Sequence, residues 1–402
     1  MKTLNRWVYA AVGVVVLVFA GLIYAWSVLS APIAAEFTEW TKTQLSLTFT
    51  IAMIFFCLGG LAGGMLAGKV SVKINVWVSS VLLLLGFMMA AKAQAVMTLY
   101  LGFGVLSGFG SGLAYNAVLS TMSKWFPDKQ GLISGILLMG FGLGSFLIGK
   151  IYTALTPSEI GGWRTSFTVF AIILFVVLFA GAFFFEKPPA DYKVPGTAEI
   201  KKKHVINGID VPAKVMLKRL SFWLYFVWAV LLSAAGLALI AQAGGVVTEV
   251  APGIGAGTVA TVVGLISIFN GIGRVIFGGM FDKAGHRRTM MLINGCFAVS
   301  VLVVILGLTL KSLPVIIVSF ICFGMSYGGV TPTNSAFVSA FYGSTHYPVN
   351  FSMINLNLIV ASFGGTLAGV LYDASGSYLS TFLVMIAAVA GGTVCSVMIR
   401  QP

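Results

Sequence analysis

The sequence predicts an all-α polytopic membrane protein, with twelve transmembrane helices in two pseudo-symmetric six-helix bundles. Three observations predict it. The 402 residues are 58% hydrophobic and only 9% charged. Apolar runs of about 18 residues or more, long enough to cross a bilayer, recur from end to end. Residue patterns also repeat across the midpoint at a nearly constant offset, as in secondary transporters built from internal repeats.

The helices are expected near 7–30, 43–68, 75–91, 96–122, 131–154, 163–185, 221–248, 258–282, 289–310, 314–339, 349–372 and 379–399. The first follows only MKTLNR and lacks a small-residue cleavage site, so it reads as a retained helix rather than a signal peptide. It carries Tyr24 and Val28 one turn apart, and Pro32 ends or kinks it. Tyr24 either lines a cavity or packs. Helix 2 holds GGLAGGMLAG, a small-residue run that lets helices approach closely in lipid. Helix 4 places Tyr115, Asn116 and Ser120 at depth, where an unsatisfied polar group costs several kcal/mol. Tyr115 is the one expected to face a cavity. Asp128 and Lys129 follow as solvated loop charges, and the glycines of helix 5 suit tight packing.

The repeat shows in three places. The loop Gly64–Lys73 matches Gly278–Arg288, about 214 positions later. AGL at 20–22 matches AGL at 235–237. Gly144, Leu147, Gly149 and Tyr152 match Gly364, Leu367, Gly369 and Tyr372. The expected domains are a bundle over 1–185, a polar linker over 186–219 containing one short surface helix, and a second bundle over 220–402.

Helix 8, TVATVVGLISIFNGIGRVIFGGMFD, has one charge within it, Arg274. An arginine near mid-bilayer costs roughly 2.5–3.5 kcal/mol on insertion scales. Ser267, Asn270 and Arg274 share a helical face, with Gly264, Gly271 and Gly278 beside it. Helix 10 carries Tyr327 among glycines and is interrupted by Pro332; Asn334 follows. Helix 11 carries Asn355 and Asn357, and helix 12 offers packing residues.

The net charge of +13 reads as topology rather than nucleic-acid binding. Of the 24 Lys and Arg residues, only Lys42, Lys92, Lys150, Arg164 and Lys311 fall at outer helix ends; apart from Arg274 the rest fall at inner ones. The positive-inside rule then places both termini in the cytoplasm of a cell that carries the protein in its inner or plasma membrane. Every carboxylate and histidine falls at a helix end or in a loop. The counter-ion of Arg274 is therefore a carbonyl, water or an anion that the chain does not own. A snorkelling, structural arginine is the alternative, although Asp282, at the inner end, is eight residues or about 12 Å away. Cys57, Cys296, Cys322 and Cys395 lie in apolar segments and read as small buried residues. No metal, cofactor or catalytic constellation is expected.

The chain resembles the major facilitator superfamily. Gly278–Arg288 is similar to its signature G-x-x-x-D-[RK]-x-G-[RK]-[RK], with His286 at one basic position. The earlier copy has Gly68 for the aspartate and Ser71 for the glycine. WFPDKQGLISG at 125–135, with IYAWS and SYGGVTPTNS, resembles the oxalate/formate antiporter family. More remotely the chain is similar to the proton-coupled monocarboxylate transporters of animals, which also place an arginine in helix 8. The exchanger's helix 11 lysine falls at Asn357, and the animal transporters' aspartate and helix 1 lysine fall at Asn270 and near Val28. The resemblance implies a major facilitator fold.

The expectation is a monomeric carrier of small monocarboxylate anions working by alternating access. Arg274 would bind the carboxylate and Asn270 orient its fork. Tyr115 and Tyr327 would donate hydrogen bonds, with Val28 an apolar wall and Tyr24 and Asn355 as further lining. Asp282, Lys283, Arg287 and Arg288 would hold one of the two states. A co-transported proton is the favoured coupling, carried by substrate, water or a gate acid such as Glu249, because arginine stays protonated. Oxalate/formate-type exchange is the alternative.

Overall fold

The computed structural model describes residues 5–157, 159–189, 192 and 208–401. Half of the expected linker, including Lys201–Lys203, lies outside them; Ala213–Met216 is its one described short helix. The described chain is helical: α1 (Arg6–Ala25), α2 (Lys42–Leu66), α3 (Val72–Ala91), α4 (Val96–Trp125), α5 (Gln130–Leu155), α6 (Trp163–Ala182), α7 (Leu220–Val250), α8 and α9 (together Ala256–Thr309), α10 (Leu313–Tyr342), α11 (Tyr347–Ser375) and α12 (Leu379–Met398). The twelve follow the order expected from the apolar runs.

Local chemistry explains the interruptions. Gly285 adopts φ 78° and separates α8 from α9. Side chains rarely take that region, so glycine is the natural residue there. The first run breaks at Ser30, and Pro32 then opens the short helix Ala31–Glu36, where its missing N–H costs nothing. In α10 the break falls at Gly329, because the Pro332 ring blocks the carbonyl four residues earlier. α11 runs as Tyr347–Asn355, Asn357–Ala361 and Gly364–Ser375. The start of α2 is held by a capping box, with Thr41 Oγ1 accepting from Gln44 N at 3.1 Å and Thr41 N donating to Gln44 Oε1 at 2.9 Å.

The chain divides into two compact units. The first is Met1–Asp128, Gly140–Val205 and Tyr347–Met353; the second is Lys129–Met139, Ile206–His346 and Ile354–Pro402. In the first, α2 and α4 touch backbone to backbone: a Cβ on Gly112 would lie 1.9 Å from the Phe56 carbonyl oxygen. Small residues allow this approach where lipid offers no hydrophobic drive between helices. Arg6 at the start of α1 forms a bidentate pair with Asp128, at 2.6 and 3.0 Å. The Asp128 side chain is only 4% exposed, so it is a buried structural ion and not the solvated loop charge expected from sequence.

The second unit has its own close crossing, where a Cβ on Gly273 would lie 2.1 Å from the Met325 carbonyl oxygen. Trp228 Nε1 donates to Asn294 Oδ1 at 2.8 Å, and Asn294 Nδ2 donates to Ser396 Oγ at 2.8 Å, tying α7, α9 and α12. In each unit a carboxylate holds the start of another helix, Glu36 that of α6 and Glu249 that of α12. Glu36 accepts from Trp163 Nε1 at 2.7 Å and from Arg164. Glu249 accepts from Ser377 Oγ at 2.6 Å and Tyr378 N at 3.0 Å. Cys57 is buried, but Cys296 on α9 is exposed, unlike the expected buried cysteine.

Candidate functional site

Arg274 lies half-buried on α8, one turn after the buried Asn270. The i, i+4 spacing brings their side chains together. Arg274 Nε donates to Asn270 Oδ1 at 2.9 Å. Arg274 Nη1 donates to the Leu138 carbonyl oxygen of α5. That carbonyl is within reach because α5 crosses α8 at Gly135, where a Cβ would lie 2.3 Å from the Arg274 carbonyl oxygen.

The Asn270 amide is orientated by this contact. Only its oxygen can accept from a guanidinium, so Nδ2 points elsewhere. Nδ2 is buried and has no acceptor among the described residues. A buried donor left unsatisfied costs about 1–3 kcal/mol. The pair therefore presents a cation and an amide donor side by side, the chemistry that recognises a carboxylate. Ser267, on the same face by spacing, is exposed.

Three other nominated residues of this unit surround that chemistry differently. Tyr327 is buried at 6% exposure, and its ring lies against Gly236 of α7, where a Cβ would come within 2.3 Å of Cδ2. It adjoins Gly328, whose added Cβ would lie 2.2 Å from the Asn270 carbonyl oxygen, so α10 carries Tyr327 close to α8. Asn355 belongs to a side-chain chain: Tyr225 OH donates to Asn334 Oδ1 at 2.9 Å, and Asn334 Nδ2 donates to Asn355 Oδ1 at 3.4 Å. Asn357 is fully buried, with Nδ2 on the Ile354 carbonyl at 2.6 Å and no donor to Oδ1 among the described residues.

Tyr24, Val28 and Tyr115 belong to the first unit. Tyr24 and Tyr115 share an aromatic cluster. Tyr24 meets Phe56 and Phe141 edge-on at 6.3 and 5.4 Å, and Tyr115 meets the same rings at 5.0 and 5.2 Å. Tyr115 also stacks on Phe351 at 5.9 Å. Val28, one turn beyond Tyr24, is 37% exposed.

Asp282 accepts from the first backbone N–H groups of α5, Gly131 N at 2.7 Å and Leu132 N at 2.8 Å. A carboxylate there satisfies orphan donors and faces the positive end of the helix dipole. Lys283, Arg287 and Arg288 are exposed. The spacing of the signature indicated Asp282 but not its partners, which are backbone groups about 150 positions away in sequence. The Leu138 carbonyl was likewise hidden, since every residue has one. Gln130 Nε2 donates to Ser335 Oγ at 3.2 Å and Ser134 Oγ lies 2.5 Å from it, a cluster that only the crossing of α5 and α10 reveals.

The Major Facilitator Superfamily family model matches residues 11–358. An uncharacterized MFS-type transporter, YhjX of Escherichia coli (strain K12), is 26% identical over 89% of this chain and 86% of its own. The oxalate:formate antiporter of Oxalobacter formigenes is 25% identical over 85% and 80%. Monocarboxylate transporter 13 of Rattus norvegicus is 22% identical over 95% and 85%. Among solved structures, the MFS proton:xylose symporter XylE aligns with a TM-score of 0.73 at 12% identity, covering 99% of this chain and 97% of that one. The MFS transporter FucP aligns with a TM-score of 0.67 at 14% identity, over 98% and 99%. At these identities the two structures speak for the fold.

Proposed function

Since the chain belongs to the Major Facilitator Superfamily, we propose that it is a secondary active transporter of small monocarboxylates of lactate, pyruvate or acetate size, working by proton symport. The observation that carries this reading is the Arg274–Asn270 pair, with a buried amide donor that has no acceptor among the described residues. A bound carboxylate would take the guanidinium and Asn270 Nδ2 together. One arginine balances one carboxylate, which favours a monoanion over a dianion. Tyr327 would support the site from its own unit, and Tyr24, Val28, Tyr115 and Asn355 would shape or line the path.

In this reading bundles 1–185 and 220–402 alternate in access, and the Asp282 cap on α5 belongs to one of the two states, with Lys283, Arg287 and Arg288 at its side. The protein would sit as a monomer in the cell membrane with both termini in the cytoplasm. Anion exchange is the second reading, favoured by the likeness to an oxalate:formate antiporter. The test is uptake of labelled L-lactate into proteoliposomes, empty or preloaded, with and without an inward proton gradient. Gradient-driven accumulation in empty vesicles supports symport. Uptake only after preloading means exchange, and no uptake of any monocarboxylate in either arm would reject the substrate class.

A further inference from the structure

The two repeated loops differ in charge at the position of Asp282. Asp282 of the second binds backbone donors, whereas the position it matches in the first is Gly68. Gly68 adopts φ 90°, and a Cβ built there would meet nothing within 4 Å. A cavity of the first unit opens beside it, lined among others by Gly68, Asn75, Asn116, Lys124, Lys187 and Pro348.

This cavity is cationic. Lys124 and Lys187 form no ion pair with any described residue. The carboxylates nearest in sequence are taken, Glu186 by Lys73 at 2.9 Å and Asp128 by Arg6. The polar lining is only partly used. Asn116 Nδ2 donates to the Pro348 carbonyl at 3.1 Å, and its Oδ1 accepts from Ser120 Oγ at 3.0 Å. The Asn75 side chain is 5% exposed, lines the cavity and makes no hydrogen bond with the described residues. Two lysines, a buried amide and the space of a missing side chain line one cavity, where the repeat elsewhere has a carboxylate.

We propose that this pocket binds a phosphate-class oxyanion, held by Lys124, Lys187 and the Asn75 amide, which supplies the negative charge that Gly68 cannot. Such an oxyanion comes from free phosphate or from the headgroup of an acidic lipid. The site is separate from Arg274 and independent of what the carrier transports.

The test uses the full-length purified protein. In neutral detergent, sodium phosphate is titrated against sodium chloride at matched ionic strength while the unfolding temperature is followed. A saturable rise of about 2–4 °C with phosphate alone is expected, as for any ligand that binds only the folded state. Lys124→Gln/Lys187→Gln loses the rise, and Asn75→Leu weakens it. Gly68→Asp also loses it, because its own carboxylate fills the site, whereas Gly68→Asn shares the backbone strain and keeps it. Nanodiscs with and without phosphatidylglycerol separate the sources. If the headgroup is the occupant, phosphatidylglycerol stabilises the native protein but not the double lysine variant, and abolishes the phosphate response. If free phosphate is the occupant, the response survives in both. Stabilisation by neither anion, or equal stabilisation of native and Gly68→Asp proteins, would overturn the proposal.

Discussion

The second unit carries the half-buried cation, its asparagine and a chain of side-chain amides and hydroxyls. The first carries, among its nominated residues, two tyrosines set in phenylalanine rings. Two copies of one plan have thus diverged in opposite chemical directions. Burying a charge requires partners, and Arg274 finds one on its own helix, Asn270, and one on another, a carbonyl of α5. Aromatic rings need only shape and area. On the proposed reading, the carboxylate is recognised in the second unit, and the aromatic cluster of the first shapes the path.

The most severe way to break this contrast is Arg274→Gln. Removing the guanidinium should lower transport at least about 100-fold, since each charge-assisted hydrogen bond is worth roughly 1.5–3 kcal/mol. Arg274→Lys should rescue little, because an ammonium lacks the planar fork. Unchanged uptake in either variant would make the arginine structural. Asn270→Leu keeps the volume but removes both polar atoms. We expect transport to fall about tenfold, with the loss mainly in apparent affinity.

On the other side of the contrast, Tyr115→Phe retains every ring contact and removes only the hydroxyl. Uptake of small monocarboxylates should change by less than about threefold, while Tyr115→Ala opens a cavity and costs folding yield. A hundredfold loss in Tyr115→Phe would show that the first unit shares in charge recognition.

The repeated ends sharpen the comparison further. Asp282→Asn should destabilise by about 1–2 kcal/mol, read as a lower unfolding temperature, because a charged cap on α5 is lost.

The smallest effect is expected at Glu36. Burial raises its carboxyl pKa, but hydrogen bonds from Arg164 and Trp163 and the arginine charge outweigh that and leave it below the usual value of 4.5. Its contribution to stability is therefore complete above that value and disappears as pH falls through the lowered one. Glu36→Gln should flatten this acid limb of the unfolding-temperature profile. The effect should shrink in high salt, because the pair is partly exposed. Glu249, clamped by a hydroxyl and a backbone N–H, should show much weaker salt dependence.

Periodicity and composition determined much of this protein on their own. Each long apolar run had to become a helix, since backbone polar groups have no other partner in lipid. The breaks at Gly285 and before Pro332 followed from glycine and proline stereochemistry, and the i, i+4 spacing of Asn270 and Arg274 guaranteed that their side chains would meet. What the sequence left open was everything that depends on a partner from another helix. Asp128 looked like a loop charge until α1 brought Arg6 to it. The cation of α8 needed the Leu138 carbonyl, and Asp282 needed the backbone of α5. Backbone carbonyls and N–H groups are identical at every position, so only the crossing of helices at their glycines decides which of them a side chain reaches.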